Sequence, residues 1–137
     1  MDVNPYLMFN GRCEEAIEFY KTAVGATDAH LIRFSEAPAD AGPPGPRPPP
    51  DKVMHANFRI GASTILASDG ECGGTTRFDG FSLSINAASD AEAKKVFDAL
   101  AKGGQVRMPL SKTFWTSAFG MLVDKFGVSW MVSVEHK

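Results

Sequence analysis

The chain is poor in cysteine: Cys13 and Cys72 are too few for a disulfide framework and are not spaced as metal ligands. No run of about 18 apolar residues and no charged-then-apolar leader occurs, so we expect neither a membrane span nor a signal peptide. A glycine-rich strand-to-helix turn followed by an acidic residue is also missing, which argues against a doubly wound nucleotide-binding fold. These absences predict a cytoplasmic protein.

The chain also lacks an excess of charge of one sign. Its formal net charge is −2, and its lysines and arginines are scattered without a basic stripe, so nucleic acid is a poor candidate partner. Apolar residues make up 44% and charged residues 22%, which is ordinary for a globular protein. We expect residues 1–137 to form a single domain with a substantial core.

What the sequence does contain is one pattern repeated twice. Residues 4–9 form a short apolar run, followed by a turn and a helical pattern that ends at Gly25. Residues 80–86 again resemble a strand, and the helical pattern after them ends at Gly103 and Gly104. Three further strand-like stretches follow each helix. This repeat predicts a concave site built from two similar halves.

Both helices have a clear apolar face. In the first, apolar residues recur at steps of three and four, and Cys13 lies among them as a buried, inert thiol. In the second, Ser89 and Glu92 form a predicted capping box, in which each side chain accepts from a free backbone N–H. The apolar positions are Cys13, Ala16, Ile17, Tyr20, Ala23 and Val24 in the first helix, and Ala93, Val96, Phe97, Leu100 and Ala101 in the second.

The strands alternate with a period of two. Residues 53–60 and 63–68 are predicted to form one hairpin, and residues 118–124 and 128–134 a second hairpin at the matching place in the second half. In 53–60 the even positions are predicted to pack on apolar neighbours, while the odd ones face elsewhere. The even positions are Met54, Ala56, Phe58 and Ile60, and the odd ones are Val53, His55, Asn57 and Arg59.

A proline-rich segment interrupts the pattern. Seven of the thirteen residues from Pro38 to Pro50 are proline, which removes backbone donors and predicts a surface loop over residues 36–51. A proline-rich recognition ligand is the alternative interpretation. The loop lies within the first of two predicted modules, which spans about residues 3–69, and the second module spans about 80–135.

Several motifs together resemble the vicinal oxygen chelate superfamily, which includes glyoxalase I, bleomycin resistance proteins and extradiol dioxygenases. More narrowly, they resemble its PhnB-like branch, often labelled 3-demethylubiquinone methyltransferase-like. The resemblance implies an α+β fold of two tandem βαβββ modules, with a curled mixed sheet around a cavity, helices outside and a homodimer. The motifs are NPYLMFNG (4–11), EAIEFY (15–20), MHA (54–56), ASD (67–69), MPL (108–110), TFW (113–115) and DKFGVSW (124–130).

The metal site that the resemblance implies is not matched by the residues. Aligned positions fall on Pro5, on Leu66 or Ala67, on Phe81 or Ser82, and on Met131 or Val132. None of these is a strong ligand for a hard divalent ion, so we predict no metal and no other cofactor. The methyltransferase label gains no support either, because a chain with two helices has no room for a doubly wound cofactor domain.

The remaining candidates are polar and aromatic side chains of the predicted cavity. His55 is the candidate catalytic residue because imidazole is a common general acid or base in enzymes, but the residues favour a hydrogen-bonded strand histidine beside a ligand or interface. Phe114 and Trp115 form a predicted aromatic wall or lid, or alternatively a core or dimer contact. The other ligand-binding candidates are Asn57, Arg59, Ser68, Ser82, Ser84 and Met131, with Ser129 and Ser133 on the same predicted face.

Three functions are compatible with this sequence. The first is a metal-free protein that binds a small, partly aromatic or anionic molecule. The second is an enzyme, such as a lyase, isomerase or dioxygenase-like protein, that uses His55 or noncanonical metal ligands. The third is a dimeric scaffold or regulatory module with a vestigial cavity. We expect a small-molecule ligand and a homodimer, and neither a nucleic acid nor a membrane as partner.

Overall fold

The structure is a computed structural model, and it describes residues 1–38, 48–70, 72 and 77–134. The chain divides into two compact units, Met1–Thr76 and Arg77–Lys137. Each unit has the order strand, helix and three strands, and each contains a four-stranded sheet. The predicted α+β class and the two βαβββ modules are therefore confirmed.

The first unit has one helix and a sheet with the strand order β1-β4-β3-β2. Strands β1 and β4 are parallel, and the other neighbours are antiparallel, so the sheet is mixed. A short 3₁₀ helix, Phe34–Glu36, follows β2. The elements are β1 (Tyr6–Met8), α1 (Cys13–Val24), β2 (Thr27–Arg33), β3 (Val53–Ile60) and β4 (Ser63–Ser68).

The second unit repeats this arrangement, with the strand order β5-β8-β7-β6 and a parallel pair β5 and β8. Strand β6 is an edge strand, which is where a sheet tolerates a proline such as Pro109. The elements are β5 (Leu83–Ala87), α2 (Asp90–Ala101), β6 (Gln105–Ser111), β7 (Phe119–Val123) and β8 (Ser129–Val134).

The core of the first unit lies between α1 and one face of the sheet. The helix buries the predicted stripe, including Cys13 and Tyr20, and the Tyr20 ring stacks on Phe58 with centroids 6.0 Å apart. Ala56 and Phe58 are buried on this face, as predicted for the even positions. Val53 was predicted on the opposite face but is only 1% exposed. An irregularity in the β2–β3 pairing at Val53 changes the alternation there, and the Val53 N–H donates to the buried Asp69 carboxylate.

The core of the second unit lies between α2 and its sheet, where Leu122, Trp130 and Val132 are buried. The predicted core position of Trp130 is confirmed. Ser89 caps α2 by accepting from the Glu92 N–H at 3.1 Å, as predicted. The Glu92 carboxylate accepts from the Ala88 N–H at 3.1 Å, one residue before the N-cap residue Ser89. Both ends of this capping box therefore use backbone groups that the helix itself leaves free.

The proline-rich segment is described only at its ends. Residues 39–47 lie outside the described residues, and with them most of the predicted loop. At its borders, Ser35 N–H donates to Pro50 O at 2.9 Å, and Lys52 N–H donates to Pro49 O at 3.1 Å. The first bond joins the two borders of the segment next to β2 and β3, and the second closes a turn at its C-terminal border.

Candidate ligand-binding site

The sheet of the second unit has an open face that does not pack on α2. Period-two alternation and the strand register place Ser84 opposite Met131 and Met131 opposite Met121 on this face. Their neighbours along the strands, Trp130 and Leu122, point to the helix and are buried. The sequence therefore assigns the small polar residues and methionines to the open face and the large core residues to the other.

A cavity of about 500 Å³ opens on this face of the second unit. That volume lies within the range of small-molecule sites, which is roughly 300–1,000 Å³. The lining combines aromatic, apolar, hydroxyl and charged groups. It consists of Phe78, Asp79, Gly80, Phe81, Ser82, Arg107, Val123, Gly127, Ser129 and Met131.

Two predicted site residues, Ser82 and Met131, meet in this cavity, together with Ser129. The hydroxyls of Ser82 and Ser129 are hydrogen-bonded at 2.8 Å, and either oxygen is able to donate. Since a hydroxyl has one donor and two acceptor positions, the pair retains free capacity for a further polar group. Ser84 lies one alternation step farther along β5 and is exposed.

Arg107 reaches the cavity because β6 carries an extra residue. Val106 pairs with Leu122 and Met108 pairs with Met121, so two steps along β6 correspond to one step along β7. A bulge of this kind bends the strand and changes the direction of the side chains next to it. The sequence gives no signal for such a bulge, and Arg107 was not among the predicted site residues.

The loop that leads into β5 supplies the aromatic part of the lining. The rings of Phe78 and Phe81 meet edge to face with centroids 6.5 Å apart, and Phe81 is 45% exposed. A partly exposed aromatic ring beside a cavity offers apolar contact area to a ligand. Phe81 had been aligned only with a metal-ligand position, and Phe78 and Asp79 were not predicted as site residues.

His55 lies in the first unit, where its partner is Tyr6. The Tyr6 hydroxyl and His55 Nδ1 are 3.3 Å apart, and the two ring centroids are 5.7 Å apart. If the phenol donates, the imidazole proton lies on Nε2, which then faces away from the tyrosine. Tyr6, in the NPYLMF motif, is therefore the contact of His55, and the sequence alone does not indicate it.

The other predicted residues of the first unit have hydrogen-bond partners or strand neighbours of their own. Asn57 is half-buried on β3 opposite His30, and Arg59 is exposed and donates to Ala62 O at 3.3 Å. Ser68 is 4% exposed, and its hydroxyl accepts from the Gly70 N–H at 3.0 Å. These contacts explain Ser68 and Arg59 as parts of turns at the two ends of the β3–β4 hairpin.

A second cavity of about 610 Å³ lies beside α1, and several of its charged side chains already have partners within the protein. Arg33 contacts Glu14 at 2.7 Å, and Lys52 donates to Gly11 O at 3.1 Å. Burial, followed by the nearby Asp69 and Glu14 carboxylates, raises the pKa of Cys13 to about 12, so this thiol is unreactive at neutral pH. Arg33 and Lys52 thus connect α1 and the turn before it to the sheet.

Phe114 and Trp115 form an aromatic cluster with Phe119 at the loop between β6 and β7. Their ring centroids are 4.8 Å apart, and those of Trp115 and Phe119 are 5.4 Å apart. Phe114 is 97% and Trp115 46% exposed, so neither is a core residue of its unit. Neither residue lines the cavity of the second unit described above.

The positions aligned with metal ligands carry side chains unsuited to a divalent ion. Ala67 and Val132 are buried on the helix-facing sides of their sheets, and Ser82 is hydrogen-bonded to Ser129. Within the described parts of the chain, no three His, Cys, Asp or Glu residues are grouped so that they could hold a metal ion. This donor set does not fit the superfamily's metal, and the absence of a metal stays a prediction. In the same residues, no helix is long and apolar enough to cross a membrane.

Residues 1–133 match the family described as 3-demethylubiquinone-9 3-methyltransferase. The chain belongs to this family. The match extends through both units and confirms the resemblance that the sequence motifs indicated.

Solved structures that are similar to this chain have the same fold. PA1353 from Pseudomonas aeruginosa is 40% identical, with a TM-score of 0.85 over 100% of this chain and 99% of that one. PhnB protein from Bacillus cereus is 27% identical, with a TM-score of 0.77 over 98% of this chain and 100% of that one. A glyoxylase/bleomycin resistance protein/dioxygenase domain from Frankia sp. EAN1pec shares the fold at 17% identity, with a TM-score of 0.65 over 100% and 93%.

Proposed function

We propose that this protein binds a small organic molecule in the cavity of its second unit and does so without the superfamily's metal. The observation that supports the proposal is the composition of the cavity. Its lining brings apolar surface from Phe81 and Met131 together with the hydrogen-bonding pair Ser82 and Ser129. Specific small-molecule sites combine apolar walls with a few placed polar groups in this way.

Ligand screening by thermal shift, followed by NMR titration, tests the proposal. A Met131→Trp substitution fills the cavity with a larger side chain from β8, and we expect it to abolish the stabilisation by any compound that binds there. The control is Lys95→Trp, which adds the same indole on the exposed side of α2. If no compound stabilises the protein, or if Met131→Trp leaves binding unchanged, the proposal is wrong.

Metal analysis tests the second half of the proposal. Protein purified without added metal should contain no stoichiometric divalent ion after chelation, because the aligned positions offer aliphatic, hydroxyl and thioether groups. Binding of a screened compound should also be the same with and without a chelator. A bound transition metal that survives chelation contradicts the proposal that binding is metal-free. It does not contradict ligand binding in the cavity, which the Met131→Trp variant tests separately.

The contact of Tyr6 and His55 favours a second candidate function, catalysis at the first unit. If the Tyr6 hydroxyl donates to Nδ1 of His55, the imidazole presents Nε2 as the group for general acid–base chemistry. Mass spectrometry of compounds incubated with the protein tests this candidate. Turnover that is lost in His55→Gln and reduced in Tyr6→Phe supports it, and turnover that is unaffected by His55→Gln contradicts it.

We also propose a homodimer, as the family resemblance implies. Its support is the exposure of large apolar side chains on the two edge strands of the first unit's sheet. Tyr6 and Met8 on β1 are 41% and 54% exposed, and Ile32 on β2 is 45% exposed. Exposed apolar surface at a sheet edge favours contact with another chain. Analytical ultracentrifugation should show a dimer that Ile32→Asp weakens, whereas a monomer for the unmodified protein contradicts the proposal.

A further inference from the structure

We propose that the ligand of the second unit's cavity is a zwitterion, with a carboxylate and an ammonium group on one compact apolar or aromatic body. This inference rests on the proposed function and names the chemical class that the cavity selects. Two charged residues of opposite sign, Arg107 and Asp79, line the same cavity of about 500 Å³. A zwitterion is complementary to both charges at once.

Arg107 is the group that would hold the carboxylate. Its guanidinium is planar and presents paired N–H donors that match the two oxygens of a carboxylate. The extra residue in β6, between the pairs Val106–Leu122 and Met108–Met121, places Arg107 at the cavity. Among the described residues, Arg107 forms no ion pair, including with Asp79 of the same lining.

Asp79 is the group that would hold the ammonium. It is an exposed residue of the loop before β5 and, within the described part of the chain, has no ion-pair partner of its own. A carboxylate near the cavity weakens binding of a simple anion by like-charge repulsion. The same carboxylate favours a ligand that carries a positive charge next to the negative one.

The surface between the two charges fits a compact apolar body. Phe81 and Met131 offer aromatic and thioether contacts, and the Ser82–Ser129 pair can accept or donate one further hydrogen bond. The cavity volume is in the range of small-molecule sites, and both charged residues belong to its lining. Recognition then requires the two charges and the apolar body in one compound.

Three probes with the same ring and different charges separate the possibilities: free L-phenylalanine, 3-phenylpropionate and phenethylamine. We expect NMR titration of the full chain to show shifts at Ser82, Ser129 and Met131 with all three. The zwitterion should bind about tenfold more tightly than either singly charged probe, since one charge-assisted hydrogen bond contributes about that factor. Equal or tighter binding of the anion or the amine overturns the inference.

Variants assign each charge to one residue. Arg107→Gln should remove the advantage of the zwitterion over phenethylamine and leave its advantage over 3-phenylpropionate. Asp79→Asn should remove the advantage of the zwitterion over 3-phenylpropionate and leave its advantage over phenethylamine. The matched controls are Lys95→Gln and Asp28→Asn, which remove one charge of each sign at exposed positions outside the cavity lining. If the controls change the probe preference as much as the cavity variants do, net charge explains the effect and the inference is wrong.

The result separates this inference from the proposed function. One outcome is that none of the three probes binds, whereas a screened compound binds and loses its binding in Met131→Trp. The cavity is then a ligand site, and the zwitterion class is wrong. If neither the probes nor any screened compound binds, the proposed function itself fails. Raising the salt concentration should weaken the zwitterion preference, because salt screens partly exposed charges.

Discussion

Asp69 accepts a hydrogen bond from the backbone N–H of Cys13 at 2.7 Å, across 56 positions of sequence. The same carboxylate accepts from the Gly11 N–H at 2.9 Å and from the Val53 N–H at 2.8 Å. Helix α1 has no side-chain cap from its own N-cap residue, Arg12. Asp69 therefore caps α1 from the end of β4, and a carboxylate there also favours the positive end of the helix dipole.

Replacing Asp69 should destabilise the protein strongly. In Asp69→Ala three backbone N–H groups lose their acceptor, and we expect the free energy of unfolding to fall by about 3 kcal/mol. Asp98→Ala is the control, because it removes an exposed α2 carboxylate that pairs with the exposed Lys94 and should change stability little. Urea unfolding monitored by circular dichroism measures both changes. Equal losses in the two variants would contradict the capping role.

Cys13 should make the protein less stable at high pH. Its pKa is raised from 9.0 to about 12 in the folded protein, mainly by burial, so between these values the unfolded chain holds fewer protons than the folded one. Stability from this group is complete below pH 9 and falls as the pH rises toward 12.

The slope of stability against pH in that range tests the assignment. Cys13→Ala should reduce the slope of the unfolding free energy against pH by up to about 1.4 kcal/mol per pH unit. Cys72→Ala should leave the contribution of Cys13 to that slope unchanged. Thiol labelling at pH 8 should likewise be slow at Cys13 until the protein unfolds. A slope that is unchanged by Cys13→Ala is evidence against a buried, protonated thiol.

The two tryptophans should differ in fluorescence. Trp130 is 2% exposed and its Nε1–H donates to Asp124 Oδ2 at 2.8 Å, whereas Trp115 is 46% exposed. Iodide should therefore quench Trp115 and leave Trp130 almost unquenched. Trp115→Phe should leave one blue-shifted, protected emission band. Strong iodide quenching in that variant would show that Trp130 is accessible.

Gly104 and Gly120 should not tolerate a side chain. A Cβ at Gly104 would lie 2.2 Å from the Val123 carbonyl oxygen, and one at Gly120 would lie 2.6 Å from the Phe97 ring. We expect Gly104→Ala to lower the free energy of unfolding by roughly 3 kcal/mol and Gly120→Ala by roughly 2 kcal/mol, since a ring can shift and a backbone cannot. Gly61→Ala, which meets no neighbour but has a φ of +58°, should lose only about 1 kcal/mol. Thermal unfolding compares all three.

The sequence by itself determined the elements and their faces. Helical periodicity placed Cys13 and Tyr20 on the buried side of α1, and Ser89 with Glu92 marked the start of α2. These features depend on residues within a few positions of one another, and so local patterns predict them. The tandem motifs also identified the family, because they preserve the order of both modules.

Only the tertiary structure decided which groups surround the cavity and which carboxylates have structural roles. Arg107 reaches the cavity through a bulge set by its pairing with β7, and Asp69 caps a helix that begins 56 residues earlier. His55 and Tyr6 likewise meet across 49 positions, which no local pattern shows. Hydrogen bonds and register between distant strands fix these contacts, since a shift of one residue in pairing turns a side chain to the opposite face.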